Sequence, residues 1–227
     1  ENWKKQALAA VRWFQKYAPA FYETPEVQIP LASLYRLIGS HGKADDIFRN
    51  YHTPAANESW KNIAKAENWL LHPASAPPRP VYLCKFTKTR PILDGVLSDE
   101  CWQSADELHL SANPAENGGD PDAIGANPLD RPFVLMSYDR DYLYVAASIP
   151  IRDELEYPAA PDSGRTYDAD LQRQDRLAFA FDIDRDYTTY YQLEVDHRGW
   201  TRDSCWIDQS WNPRWYVARE KDKRHWR

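Results

Sequence analysis

Residues 175–215 read DRLAFAFDIDRDYTTYYQLEVDHRGWTRDSCWIDQSWNPRW, and this stretch decides the fold. Leu177, Phe179 and Phe181 alternate with Ala178, Ala180 and Asp182. A period of two puts the large side chains on one face of a strand and the small or polar ones on the other. The acidic run Asp182-Ile183-Asp184-Arg185-Asp186 interrupts that pattern as a turn. Residues 188–196 then carry two Thr, two Tyr, Leu and Val, a composition suited to a second strand. His197-Arg198-Gly199 turns the chain again, with the glycine free to take positive φ. The stretch predicts strand, turn, strand, turn, strand and a tryptophan-rich edge. Such an array has one apolar face that a second layer must cover.

Upstream, residues 81–88 alternate as a first strand, Asp94-Gly95 marks a turn, and Ser98 can cap a short helix carrying Cys101 and Trp102. Trp102 is expected in the core. Residues 133–138 and 142–149 form a predicted hairpin about Asp139-Arg140-Asp141. Residues 111–131 and 150–171 have no periodicity and read as long loops. Before all of this, residues 73–80 (PASAPPRP) hold four prolines in eight positions, an extended and semi-rigid linker.

Residues 1–72 are helical in pattern. Ala7, Leu8, Val11, Phe14 and Ala18 follow helical spacing up to Pro19, a predicted stop. Residues 31–39 form a second segment ending at Gly39, in a C-cap position, and residues 42–51 a third. Asn57 caps a fourth, in which Trp60, Ile63, Ala64, Trp69 and Leu70 share an apolar face. The organisation is therefore a helical segment at 1–72, a linker at 73–80 and a β domain at 81–227.

The 227 residues, 43% of them hydrophobic and 14% aromatic, suffice for one or two cored domains. A net charge of −6 without a Lys/Arg block argues against nucleic acid as a partner. No apolar run is long enough for a membrane span. Cys84, Cys101 and Cys205 match no zinc template, and their pairing stays open.

Four pieces occur in order: residues 91–102 (PILDGVLSDECW), residues 138–146 (YDRDYLYVA), the Gln174-Asp175 opening a strand that ends in Asp182, and the turn Asp196-His197-Arg198-Gly199. Together they resemble the family-9 carbohydrate-binding modules and the wider DOMON-like superfamily, from Pro91 to about Trp226. The resemblance implies a mainly β fold: an antiparallel, jelly-roll-like β-sandwich preceded by a small α-helical segment. It implies further strands after Trp226, so the sandwich is expected to be truncated at its C-terminus. Because the chain opens on Glu1 without a signal-peptide core, it is expected to be a piece of a longer polypeptide. Residues 31–51 also resemble a tetratricopeptide-like helical hairpin, either a short helical region or the tail of a larger array.

Ligand-binding members of the carbohydrate-binding family carry a tryptophan just before the Gln-Asp, a sugar-binding glutamate in the following strand, and an arginine and an asparagine in the next. Here residues 171–173 read LQR, Ala178 replaces the glutamate, and Glu194 and Asp196 stand at the other two positions. The implied fold carries over; the family's sugar site does not.

Trp200, Trp206, Trp211 and Trp215 are the candidate ligand-binding residues, because a flat aromatic ring suits the C–H face of a sugar. The competing reading places them in the core or at its edge. Asp182, Asp184 and Asp186 are the candidate metal ligands, since three carboxylates in one turn can gather hard oxygens around Ca²⁺. The resemblance implies structural calcium as well. The competing reading is a set of solvated turn acids neutralised by Arg185. No nucleophile elbow, zinc helix, P-loop or dinucleotide fingerprint is present, and His109 and His197 read as surface or turn residues.

The expected function is that of a non-catalytic, carbohydrate-binding-like accessory module of a larger extracellular, periplasmic or cell-surface protein. Its expected partners are a polysaccharide or oligosaccharide and other domains of the same polypeptide. The alternative is a structural or protein-interaction β-sandwich that has lost sugar binding. An exposed aromatic cleft near Trp200, Trp206 and Trp211 favours the first, and their burial favours the second.

Overall fold

The computed structural model describes residues 2–51, 57–110, 131–152, 156–158 and 166–227. The chain divides into two compact units. One comprises Glu1–Val81, Ala180–Gln192 and Cys205–Asp208; the other comprises Tyr82–Phe179, Leu193–Ser204 and Gln209–Arg227.

The first unit is built on α1 (Asn2–Tyr17), α2 (Pro19–Tyr22), α3 (Pro25–Leu37), α4 (His41–Asn50) and α5 (Glu58–Leu71). Pro19 begins α2 rather than simply ending α1, as suits a residue whose missing N–H would have no partner in a first turn. The helix expected from Leu31 starts six residues earlier, at Pro25. Pro30 inside it obscures the pattern in the sequence, since proline removes one backbone hydrogen bond. Burial of Ile29, Leu31, Ala32 and Leu34 offsets that loss. These four pack with Ala44, Ile47 and Phe48 of α4 and Ile63 and Ala64 of α5 into one apolar core.

Gly39 closes α3 at φ 77°. The Ser40 amide donates to the Tyr35 carbonyl at 2.8 Å and the Gly39 amide to Arg36 at 3.0 Å, a Schellman cap that needs a left-handed residue at this position. At the start of α5 the Asn57 side chain accepts the Ser59 amide at 2.9 Å. α1 has no fully buried residue; Ala7, Leu8 and Val11 rest on the core, and Trp13 and Tyr17 face solvent.

The second unit holds a mixed five-stranded sheet in the order β1 (Lys85–Phe86), β3 (Phe133–Tyr138), β4 (Leu143–Pro150) and β8 (His225–Trp226), with β2 (Leu108–His109) also on β3. β1 runs parallel to β3, and the other pairs are antiparallel. In the central hairpin Val134 pairs with Ala147 and Leu135 with Ala146. Leu135 packs on Cys101 and Trp102 of the short helix α6 (Glu100–Ser104). Gly95 has φ 81°, and a Cβ built there would lie 2.5 Å from the Glu220 amide nitrogen, so only glycine fits this turn.

A second, three-stranded sheet runs β5 (Arg176–Phe181), β6 (Tyr191–Asp196), β7 (Thr201–Cys205). In β5 exposure alternates as its period-two pattern predicts. The mainly β expectation gives way to a mixed α/β chain, in which helix outweighs strand and one sheet is mixed rather than antiparallel throughout. The expected first strand at 81–88 shrinks to Lys85–Phe86. The strand expected from Thr188 begins at Tyr191, because the Asp186 side chain draws the Thr188 and Thr189 amides into a turn at 2.7 Å each. Cys84, Cys101 and Cys205 are free thiols. Among the described residues no helix is long and apolar enough to cross a membrane.

Candidate functional site

The β5–β6 turn places Asp182, Asp184 and Asp186 so that one carboxylate oxygen of each lies within 4.8 Å of the others. Their hydrogen bonds show what shapes the turn. Asp182 accepts the amides of Asp186 at 3.1 Å and Tyr187 at 2.9 Å. Asp186 accepts those of Thr188 and Thr189, and the Thr189 hydroxyl at 2.8 Å. Two of the three acids are therefore turn caps. Asp184 is the exposed member of the three. Burial, then the charges of Asp186 and Asp182, pushes its carboxyl above the ordinary value. Calcium takes six to eight oxygens. This cluster offers three, from carboxylates already engaged in hydrogen bonds of the turn, so the residues fit a turn fully and a calcium shell only in part.

Arg185 does not neutralise this cluster, contrary to the expectation from its position. Its guanidinium donates to Glu67 of α5, Nε to Oε1 at 3.0 Å. Arg36 of α3 pairs with the other oxygen, and the Tyr187 hydroxyl donates to Oε1 at 2.6 Å. Glu67 is 0% exposed. A carboxylate with no contact to water is tolerable only when paired and hydrogen-bonded, and here two cations and a phenol meet it. Arg185 and Tyr187 adopt φ of 54° and 59°, a region non-glycine residues rarely occupy. The bonds to Glu67 hold them there. Sequence reasoning passed over Glu67, which looks like any solvent-facing acid of an amphipathic helix.

The four candidate tryptophans differ in their surroundings. Trp206 belongs to the first unit, and Trp200, Trp211 and Trp215 to the second. The Arg198 guanidinium lies 3.8 Å from the centre of the half-buried Trp200 ring and covers one face. Arg198 is itself held by Asp196, whose Oδ2 accepts its Nε at 2.8 Å and whose Oδ1 accepts the amides of Arg198 and Trp200. The indole N–H of Trp215 donates to the buried Asp203 at 3.1 Å. Trp211 is half-buried, and Trp206 is the most open of the four, at 47%.

Glu194 and Asp196 are both buried. Glu194 accepts Arg176 Nε at 3.2 Å, and Asp196 organises the β6–β7 turn. His197 is buried rather than on the surface. Its Nε2 meets the Pro158 carbonyl at 3.2 Å, its ring stands edge-to-face on Tyr157, and Nδ1 has no hydrogen-bond partner among the described residues. Tyr157 donates to Asp175 at 2.9 Å, and Trp226 Nε1 donates to the same oxygen at 3.0 Å. Of the predicted loops, 111–131 falls almost wholly outside the described residues, and 150–171 does so at 153–155 and 159–165.

One surface in the second unit escaped the sequence reading. Phe86, Tyr138 and Leu143 are register partners across β1, β3 and β4, and they are 51%, 42% and 50% exposed. Next to Leu143 in the chain, Tyr142 meets the rings of Tyr144 and Tyr216 instead. The Phe86–Tyr138 rings are nearly perpendicular, at 76°, as are Tyr142 and Tyr216, at 66°. Arg90 lies over Tyr142 and pairs with Asp139. Apolar side chains at the ends of three adjacent strands carry no signal of their own in the sequence; only the register assembles them.

Comparison with protein-family models, with curated proteins and with solved structures finds no match to this chain.

Proposed function

We propose that this chain is a non-catalytic interaction module whose second unit is a β-sandwich resembling the family-9 carbohydrate-binding modules, with the sugar function replaced by protein contact. The observation that carries this reading is the exposed row Phe86–Tyr138–Leu143. An apolar strip of this kind on a sheet end is costly to leave in water and is characteristic of protein interfaces. Its two rings, Phe86 and Tyr138, stand edge to face, which leaves a ridged surface for interdigitating side chains rather than a flat platform for a sugar. The residues that would have formed the family's sugar site support the same reading. Glu194 and Asp196 are committed to Arg176 and to the β6–β7 turn, and Arg198 occupies a face of Trp200.

The test joins two measurements on the chain in its native cells and in isolation. A photo-crosslinking residue at position 143 should capture one defined protein, lost when Tyr138→Ser is added, while a glycan array stays blank. A glycan signal abolished by Trp206→Ala, with no crosslink at position 143, would reverse the proposal and return a carbohydrate function. Structural calcium at Asp182, Asp184 and Asp186 is a separate extension of this reading, supported by the proximity of the three carboxylates alone.

A further inference from the structure

The helical unit contains a cleft of about 410 Å³ that the reading above does not use. One wall is the face of α1 bearing Trp3, Ala7, Val11 and Phe14, and the other is the face of α3 bearing Val27, Pro30, Leu31, Leu34 and Leu37. Each wall extends for about 15 Å at the helical rise of 1.5 Å per residue. The helices run antiparallel, since Lys4 near the start of α1 donates to the Leu37 carbonyl at the end of α3. The cleft is thus an apolar trough about three helical turns long, a shape that suits a segment of chain better than a compact small molecule.

Its charged margin has one dominant sign. Glu26, Asp184 and Asp186 line it. None of the three carboxylates forms an ion pair among the described residues, and the nearby arginines Arg36 and Arg185 are engaged by Glu67. Lys4 places one positive charge at the Leu37 end. The Asp184 main chain is anchored through its carbonyl, which accepts the Ser33 hydroxyl at 2.7 Å and Arg36 Nη2 at 3.1 Å, so this carboxylate is held at the margin. An occupant that filled the trough with apolar side chains would bring its flanks against these acids, where cationic groups are favoured.

We propose that this cleft binds a basic amphipathic helix of a protein partner: apolar residues at i, i+3, i+4 and i+7 fill the trough, and Lys or Arg on the flank faces Glu26, Asp184 and Asp186. This goes beyond the interaction proposed for the second unit, since it concerns another surface and specifies the chemistry of the partner.

Two synthetic helical peptides of about 14 residues test it, one of Leu and Lys in this spacing and one with Glu in place of every Lys. Each is titrated into the full chain and followed by calorimetry. The Leu/Lys peptide should bind saturably at one per chain, and the Leu/Glu peptide about tenfold more weakly or not at all. The double variant Glu26→Gln/Asp184→Asn should weaken the Leu/Lys peptide about tenfold, with circular dichroism unchanged. Asp46→Asn, an exposed acid of the same unit away from the cleft, should leave binding intact.

Equal binding of both peptides, binding of neither, or an equal loss with Asp46→Asn would overturn the proposal. So would phenethylammonium competing as tightly as the peptide, which would make the cleft a small-cation site. Concentration-dependent self-association abolished by the double variant would overturn it too, by making a second copy the occupant.

Discussion

The Tyr187 hydroxyl donates to Glu67 at 2.6 Å across 120 residues of chain, and through it a strand turn and a helix of the first unit share one buried carboxylate. Burial and the bond to Glu67 both hold the phenol protonated well above its ordinary range. Glu67 has no water to fall back on, so its partners are not interchangeable with solvent.

Removing one partner should cost more than a surface ion pair would. Glu67→Ala leaves Arg36, nearly buried, without its counter-charge and should lower unfolding free energy by roughly 3–5 kcal/mol, read from urea melts. Tyr187→Phe removes one hydrogen bond to a charged group and should cost about 1.5–3 kcal/mol. Arg36→Met should be worse than Arg185→Met, because the Arg185 side chain is nearly half exposed and can rehydrate its neighbourhood.

The turn acids should separate by what they cap. Asp182→Ala strands two amides, those of Asp186 and Tyr187, and should cost about 1–2 kcal/mol. Asp184→Asn removes a charge crowded by two others and should be neutral or slightly stabilising. A calcium site would invert the second result: Asp184→Asn would then abolish a calcium-dependent rise in melting temperature. Melts of both variants with calcium and with chelator decide between them.

Acid should weaken the fold through His197. Burial, reinforced by Arg198 and Lys221 and opposed by the Pro158 carbonyl and Asp196, lowers its pKa below the ordinary value of 6.5. The neutral ring is therefore favoured in the folded state. Its contribution is fully present above pH 6.5 and is lost as pH falls from there through the depressed folded value, since the unfolded chain takes up the proton first. Unfolding midpoints measured from pH 8 to pH 5 should fall more steeply for the wild type than for His197→Asn.

The tryptophans should divide by environment. Trp200→Ala and Trp215→Ala remove rings packed against Arg198 and tied to Asp203, and should each cost about 2 kcal/mol. Trp206→Ala should change stability by less than about 0.5 kcal/mol. Chemical denaturation of the three variants reads this directly, and a large loss at Trp206 would contradict its open position.

What the sequence by itself determined is local. The period of two in residues 176–181, the Asn57 cap, the glycines at 39 and 199 and the paired strands 133–138 and 143–150 follow from backbone sterics and short-range hydrogen bonds, which act within a few residues. The burial of Glu194 and Asp196 was not legible in the sequence. The tertiary structure decided the rest. Arg185 sits beside three acids in the chain yet pairs with Glu67, because a buried carboxylate binds a cation more strongly than solvated ones do. His197 lies in a turn that reads as surface, but Tyr157 and Pro158 cover it. The row Phe86–Tyr138–Leu143 and the cleft between α1 and α3 exist only once distant segments are set in register. Which surfaces meet depends on desolvation summed over whole faces, and no window of sequence contains that sum.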